Sequence, residues 1–187
     1  MMNLIDKERE RISETFSDII ENDANNLLIP FPKEAFKLTN EALALDESIN
    51  PNNAYMIGAV GFVLRWLDRP EEAVEKFQKA LRLTPFHRNY YFVGLGDAYM
   101  DMGRYEEAID EYKRAADYDP KDLIAHIGLA SAYALFGRDK EAKAEAIAIV
   151  RIYPKFSIQY YAKTMPFKNQ DDREKWIRAL QKAGLPD

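Results

Sequence analysis

The 187-residue chain contains no cysteine. That absence excludes disulfides, thiolate metal sites and cysteine nucleophiles at once. Histidine is nearly absent too. His87 and His126 are the only imidazoles, and nothing in the sequence places converging metal ligands or a nucleophile beside either. There is no phosphate loop of the GxxxxGK type, no GxSxG elbow and no GxGxxG strand-to-helix turn. In "GLGDAY", Gly94 and Gly96 fall inside a helical pattern, where a packing role is expected. The expectation is therefore a chain with no catalytic residue, no metal and no cofactor. Long apolar runs are missing as well, and none approaches the roughly 18 residues of a membrane helix. The opening "MMNLIDKERERISETF" is charged where a signal peptide needs an apolar core. A soluble, cytoplasmic chain is expected. Finally, basic residues are in deficit, 26 Lys and Arg against 31 Asp and Glu, for a formal charge of -5. A nucleic-acid partner needs a concentrated cationic surface and is not expected. Residues 155–187 carry +3, too weak for a membrane-binding surface.

What is present is repetition. With 47% apolar and 30% charged residues the chain can bury a real core. "DRPEEAVEKFQKALRLTP" is followed by the near-copy "GRYEEAIDEYKRAADYDP". Pro51, Pro85, Pro120 and Pro154 lie 34, 35 and 34 residues apart. Small and aromatic residues recur in step: Gly61, Ala73, Phe77 and Ala80, then Gly96, Tyr99, Ala108, Tyr112 and Ala115, then Ala130, Tyr133, Ala142 and Ala146.

Each unit divides into two helical patterns joined by "LDRPEEA", "MGRYEEA" or "FGRDKEA". Leu95, Ala98, Tyr99 and Met102 recur at spacings of three and four, and Ala108, Ile109, Tyr112 and Ala115 do the same after Gly103. Two antiparallel helices per unit follow. Gly96 and Ala108 are expected where the paired helices approach closely, Gly103 and Gly137 as left-handed helix ends, and Pro70 in a first helical turn. The residues that carry this period resemble the tetratricopeptide repeat, whose spacing, small residues and closing proline they share. The resemblance implies an all-α superhelix of antiparallel helix pairs in a single domain. Its expected parts are an N-terminal helix and degenerate repeat over 1–51, repeats over 52–87, 88–121 and 122–154, and a C-terminal cap over 155–187. Within 1–51, Ala35 and Ala42 occupy the two small positions, and a helix from Leu4 to Asn22 places Ile5, Ile12, Phe16 and Ile19 on one face.

The ending departs from the period. In "FSIQYYAKTMPFKNQDDREKWIRALQKAGLPD" a short helix precedes a bounded one, with Asp171 and Glu174 spaced as a capping box and Gly184 and Pro186 as a stop. Trp176, Ile177 and Leu180 give the last helix an apolar face that should cover the open end of the stack. The words "KFSI", "MPFKNQDD" and "ALQKAGLPD" are similar to the C-terminal end of repeat regions in bacterial class III adenylate/guanylate cyclase-type and related regulatory proteins. That resemblance implies a regulatory module without cyclase activity, since no cyclase domain is present.

The first helix of every pair should line a concave groove. In the first full unit the core stripe is expected at Met56, Val60, Val63 and Leu67, and the adjacent face presents Tyr55, Phe62, Arg65 and Trp66. The equivalent positions are Tyr90, Val93, Asp97 and Asp101 in the second unit and Ile124, Ile127, Ser131 and Leu135 in the third. The groove runs from aromatic through acidic to aliphatic, suited to a peptide with apolar side chains and a basic group near Asp97 and Asp101. The competing expectation is that Phe62 and Trp66 pack against a folded-in N-terminal helix. The positions at which chaperone-binding repeats hold a clamp of lysine and asparagine carry Gly58, Phe62, Val93 and Asp97, so that ligand is set aside. Three function classes result: a non-catalytic protein- or peptide-binding scaffold first, a regulatory or self-associating signalling module, with homodimers, second, and an enzyme last.

Overall fold

In the computed structural model, residues 53–85, 88–164 and 170–187 are described. The N-terminal helix and degenerate repeat expected over 1–51, Pro51 and His87 lie outside them. The described residues form eight helices and no strand: α1 Ala54–Trp66, α2 Pro70–Leu83, α3 Arg88–Asp101, α4 Tyr105–Tyr118, α5 Leu123–Phe136, α6 Asp139–Ile152, α7 Ile158–Thr164 and α8 Gln170–Ala183. Each odd helix from α1 to α5 packs on the helix after it, and α3 and α5 also pack on the second helix of the preceding pair. No described helix is long and apolar enough to cross a membrane.

The helix ends follow from local chemistry. Asn53 caps α1 by accepting the Met56 amide at 3.3 Å, and Asp122 caps α5 by accepting the Ile124 and Ala125 amides. Pro70 opens α2, where its missing N–H is not needed. The three intra-pair turns share one design. The amides of Arg69, Arg104 and Arg138 donate back to the carbonyls of Leu64, Tyr99 and Tyr133, and each arginine pairs with the glutamate three residues on, Glu72, Glu107 or Glu141. That backward bond requires a left-handed residue just before the arginine. Gly103 (φ 71°) and Gly137 (φ 83°) supply it as expected, while Asp68 (φ 61°) stands there in the first pair.

Glycine and one aromatic ring set the spacing between pairs. A Cβ on Gly61 of α1 or on Gly94 of α3 would lie 2.8 or 2.5 Å from the Phe77 ring, and one on Gly96 of α3 or Gly128 of α5 would lie 2.6 or 2.4 Å from the Tyr112 ring. Each ring of a second helix is thus clasped between its own first helix and the next one. Ala108 meets no water at all, as the expected close approach requires.

In α1 the buried stripe is Ile57, Val60, Val63 and Leu64, whereas Met56 and Leu67 are half-buried. The expected stripe is rotated because Gly58 and Gly61 turn toward Tyr91 and Phe77, which places Ile57 and Leu64 on the inner face. At the other end, Ile177, Ala179, Leu180 and Ala183 of α8 join the core of α5 and α6. The expected capping box is not formed. Helix α8 already begins at Gln170, and Glu174 accepts from the side chains of Gln170 and Arg178 instead.

His126 faces Glu145 of α6 through Nδ1 at 2.6 Å and the Pro120 carbonyl through Nε2 at 3.2 Å. Two acceptors satisfy the doubly protonated ring. The Glu145 hydrogen bond raises the pKa above the ordinary histidine value against the opposing cost of burial, with Asp122 adding to the rise. A folded-state pKa raised above the unfolded one gives stability that is complete below the unfolded pKa and is lost as pH rises through the folded value. The urea midpoint is expected to fall between about pH 6 and about pH 8.5 more in the native chain than in Glu145→Gln. Equal pH profiles for the two chains would count against the pair.

Candidate groove on the first helices

The first helices contribute a recess of about 200 Å³. Arg65 and Trp66 at the end of α1 form one side, and Asp97, Met100 and Asp101 of α3 continue it. Ile124, Ile127, Gly128, Ser131 and Leu135 of α5 lie beyond them. Tyr105 and Tyr112 of α4 complete this part of the lining. Among the described residues, the rest of the lining comes from Gly103, from Tyr161 of α7 and from Asp172, Lys175 and Trp176 of α8. The C-terminal helix therefore covers the end of the stack and also contributes a wall to the groove.

The charges in the recess are organised before any ligand arrives. Arg65 donates through Nη1 to Asp97 at 2.7 Å and through Nε to Asp101 at 2.9 Å. The other oxygen of Asp97 accepts from Tyr112 Oη at 2.5 Å. The Arg65 side chain is only 15% exposed. Burial works against its charge, but Asp97 and then Asp101 outweigh that cost and leave its pKa above the ordinary value. Burial, followed by the Asp97 charge, pushes the Tyr112 hydroxyl well up, so it remains a proton donor. On the far wall, Lys175 Nζ donates to Tyr105 Oη at 2.8 Å.

These contacts divide the nine residues singled out from the sequence. Arg65, Trp66, Asp97, Asp101, Ile124 and Ser131 border the recess. Tyr55, Phe62 and Tyr90 form a separate aromatic cluster: Tyr55 stacks on Tyr90 with ring centres 6.5 Å apart, and Phe62 meets Tyr90 at 4.7 Å and Phe77 edge-on at 4.8 Å. Tyr55 is 64% exposed and Tyr90 37%. Burial, then Tyr55 and Tyr91, raise the Tyr90 pKa to about 12.

Ser131 is oriented differently from the expectation. It is buried and its Oγ donates to the Gly128 carbonyl at 2.9 Å, so the hydroxyl serves its own helix. Val93 and Ile127 are likewise buried. The expected open acidic site at Asp97 and Asp101 already holds a cation, Arg65, supplied from one repeat earlier. The sequence reading missed Met100, Tyr105, Tyr161, Asp172, Lys175 and Trp176. Asp172, Lys175 and Trp176 are spaced three and four apart, the pattern of one helix face, which could have marked α8 as a groove wall. Among the described residues no group of three or more histidine, aspartate or glutamate side chains is placed to hold a metal.

Residues 96–137 match a family described as TPR repeat. The human protein O-mannosyl-transferase TMTC1 is 29% identical over 124 residues, 66% of this chain and 14% of that protein, so the chain spans about one seventh of that relative. The structure of MamA from Desulfovibrio magneticus RS-1, residue 41 to its end, superimposes with a TM-score of 0.62 at 19% identity, covering 98% of this chain and 96% of that one. YrrB, a tetratricopeptide-repeat protein with an unusual peptide-binding site, superimposes with a TM-score of 0.55 at 22% identity, covering 98% and 92%. Residues 96–137 thus match the tetratricopeptide repeat, and the described residues fold as an all-α solenoid like those of tetratricopeptide-repeat structures.

Proposed function

We propose that the chain is a non-catalytic protein-interaction scaffold whose groove on the first helices holds a peptide segment of a partner. The observation that carries this reading is the recess, in which aliphatic and aromatic side chains of α1, α3, α5 and α8 surround a prearranged charged cluster. Buried aromatics and arginine are frequent anchors of interfaces, and the peptide-binding site of YrrB supports the same use of the fold. The arginine–aspartate cluster changes the expected ligand. Its charges are partly compensated from within, so apolar side chains seated near Ile124, Leu135 and Trp176 supply most of the affinity. The reading carries no mannosyl-transfer chemistry, and it has neither nucleic acid nor membrane as partner. It treats residues 1–187 as one domain and places the protein in the cytoplasm.

Peptides selected by phage display against the full chain test this reading. Labelled peptides are expected to bind with a rise in anisotropy, and Ile124→Asp, at a 37% exposed position, is expected to weaken them about tenfold or more with an unchanged circular dichroism spectrum. Peptides that bind the variant as well as the native chain would place the site elsewhere.

A second reading, a regulatory or self-associating module of a signalling protein such as a nucleotide cyclase or a transcription regulator, draws on the tail "KFSI…ALQKAGLPD". It requires a mass in light scattering that rises with concentration, and a constant monomer mass would remove it.

A further inference from the structure

We infer that α6 carries a second docking surface, which takes an amphipathic helix of a partner protein with acidic residues beside its apolar stripe. None of the described residues that line the recess belongs to α6, so the inference goes beyond the groove reading and does not rest on it.

The three second helices differ at equivalent exposed positions. Helix α2 has Glu75 and Gln78 there and α4 has Asp110 and Lys113, whereas α6 has Ala144 and Ile147. Ile147 is 72% exposed, and Val150 follows it on the same side of the helix. The fold's own packing does not call for isoleucine at this point, because α6 buries Ala142, Ala146 and Ile149 instead. A single exposed apolar side chain is ordinary. Here, however, Ala144, Ile147, Ala148 and Arg151 stand at the spacing of three and four with which one helix packs on another. The alanines beside Ile147 let a second backbone come close.

Charge selects the occupant. The three acids of α6 are directed elsewhere: Asp139 pairs with Lys182 of α8 at 2.7 Å, Glu141 with Arg138 at 2.6 Å, and Glu145 faces His126 of α5. Lys143 and Arg151 stand exposed one turn before and one turn after Ile147, so the apolar stripe is positive at both ends. Glutamates beside the partner's own stripe complement them. A second copy fits less well, since two α6 helices crossing antiparallel at Ile147 would set Lys143 against Arg151 at both ends. An anionic lipid surface also fits less well. Helices that lie in a membrane interface insert tryptophan, phenylalanine or leucine, and this stripe offers alanine, isoleucine and valine.

A yeast-displayed library of helices as long as α6, with leucine and alanine fixed on one face and glutamate, glutamine or lysine varied beside it, is selected against the full chain. Enrichment of glutamate is expected. The labelled helices should bind about tenfold or more weakly to Ile147→Glu, a variant at an exposed position whose folding is checked by circular dichroism and its urea midpoint. Lys143→Glu should also weaken them and be rescued by exchanging their glutamates for lysine, a reversal that a structural disturbance does not produce. An empty selection, enrichment of lysine, or binding that survives Ile147→Glu would overturn the inference. If the surviving binding is lost in Ile124→Asp, the helix sits in the recess and the groove reading stands alone. Binding lost in Ile147→Glu and unchanged in Ile124→Asp supports this surface even if no peptide occupies the groove. A mass in light scattering that rises with concentration only while Ile147 is present would give the face to a second copy. Sedimentation with vesicles of phosphatidylserine and phosphatidylcholine, lost in Ile147→Glu, would give it to a membrane, and either result removes the inference.

Discussion

Replacing Tyr112 by alanine is expected to destabilise the solenoid by about 3–5 kcal/mol, the range for emptying a buried aromatic site. The ring is 2% exposed and lies between Gly96 of α3 and Gly128 of α5, so its removal leaves space between two successive helix pairs that the backbones cannot close without moving both. Tyr112→Phe keeps the ring and loses only the donor to Asp97, so it should cost about 1.5–3 kcal/mol, the range for hydrogen bonds to charged groups. Urea unfolding of the three chains separates the two contributions. A loss in Tyr112→Ala no larger than that in Tyr112→Phe would show that the ring is not what spaces the pairs.

The clasp is periodic, and its end explains where the regular stack stops. Phe77 and Tyr112 occupy equivalent positions, but the next equivalent, Ala146, carries no ring. The small residues that would have faced it, Ala130 of α5 and Ala162 of α7, are buried against the same core. With no ring to hold a further first helix at the usual distance, α7 remains one short helix and α8 closes the end, its Leu180 fully buried. The Ile158 amide donates to the Pro186 carbonyl at 2.9 Å, joining the start of α7 to the last residues of the chain.

The architecture was legible because it depends on spacing. A glycine near a helix stop and a proline at a helix start have local consequences, and Gly103, Gly137 and Pro70 behave as their neighbours dictate. The first-unit turn was less legible, since Asp68 does there what glycine does in the next two. For the groove, helical periodicity puts Arg65, Trp66, Asp97, Asp101 and Ile124 on one face, and all five border the recess. It could not show that Arg65 reaches Asp97 and Asp101 across 32 and 36 residues, because a long side chain chooses among partners only after the helices are docked. Nor could it show that Asp172, Lys175 and Trp176 face the groove, since α8 stands outside the period and its position depends on packing against α5 and α6.

Asp97 is where fold and groove meet, and its removal should be felt by both. In Asp97→Ala, Tyr112 Oη loses its acceptor while remaining buried, and Arg65 loses the closer of its two carboxylates. Breaking a buried ion pair from one side costs about 3–5 kcal/mol in full burial. Asp97 is 18% exposed and Asp101 still faces Arg65, so about 2–3 kcal/mol is expected here, discounted for that solvent access. Asp97→Asn keeps an acceptor for the hydroxyl and should recover part of the loss. The pair Asp97→Ala and Tyr112→Phe forms a double-mutant cycle in which the two effects are expected to fall short of additivity by about 1 kcal/mol, because each removes the same contact. Full additivity in urea unfolding would mean that Asp97 and Tyr112 act separately. The groove would then owe the orientation of Asp97 to Arg65 alone, and Arg65→Met would disturb ligand binding while Tyr112→Phe would leave it unchanged.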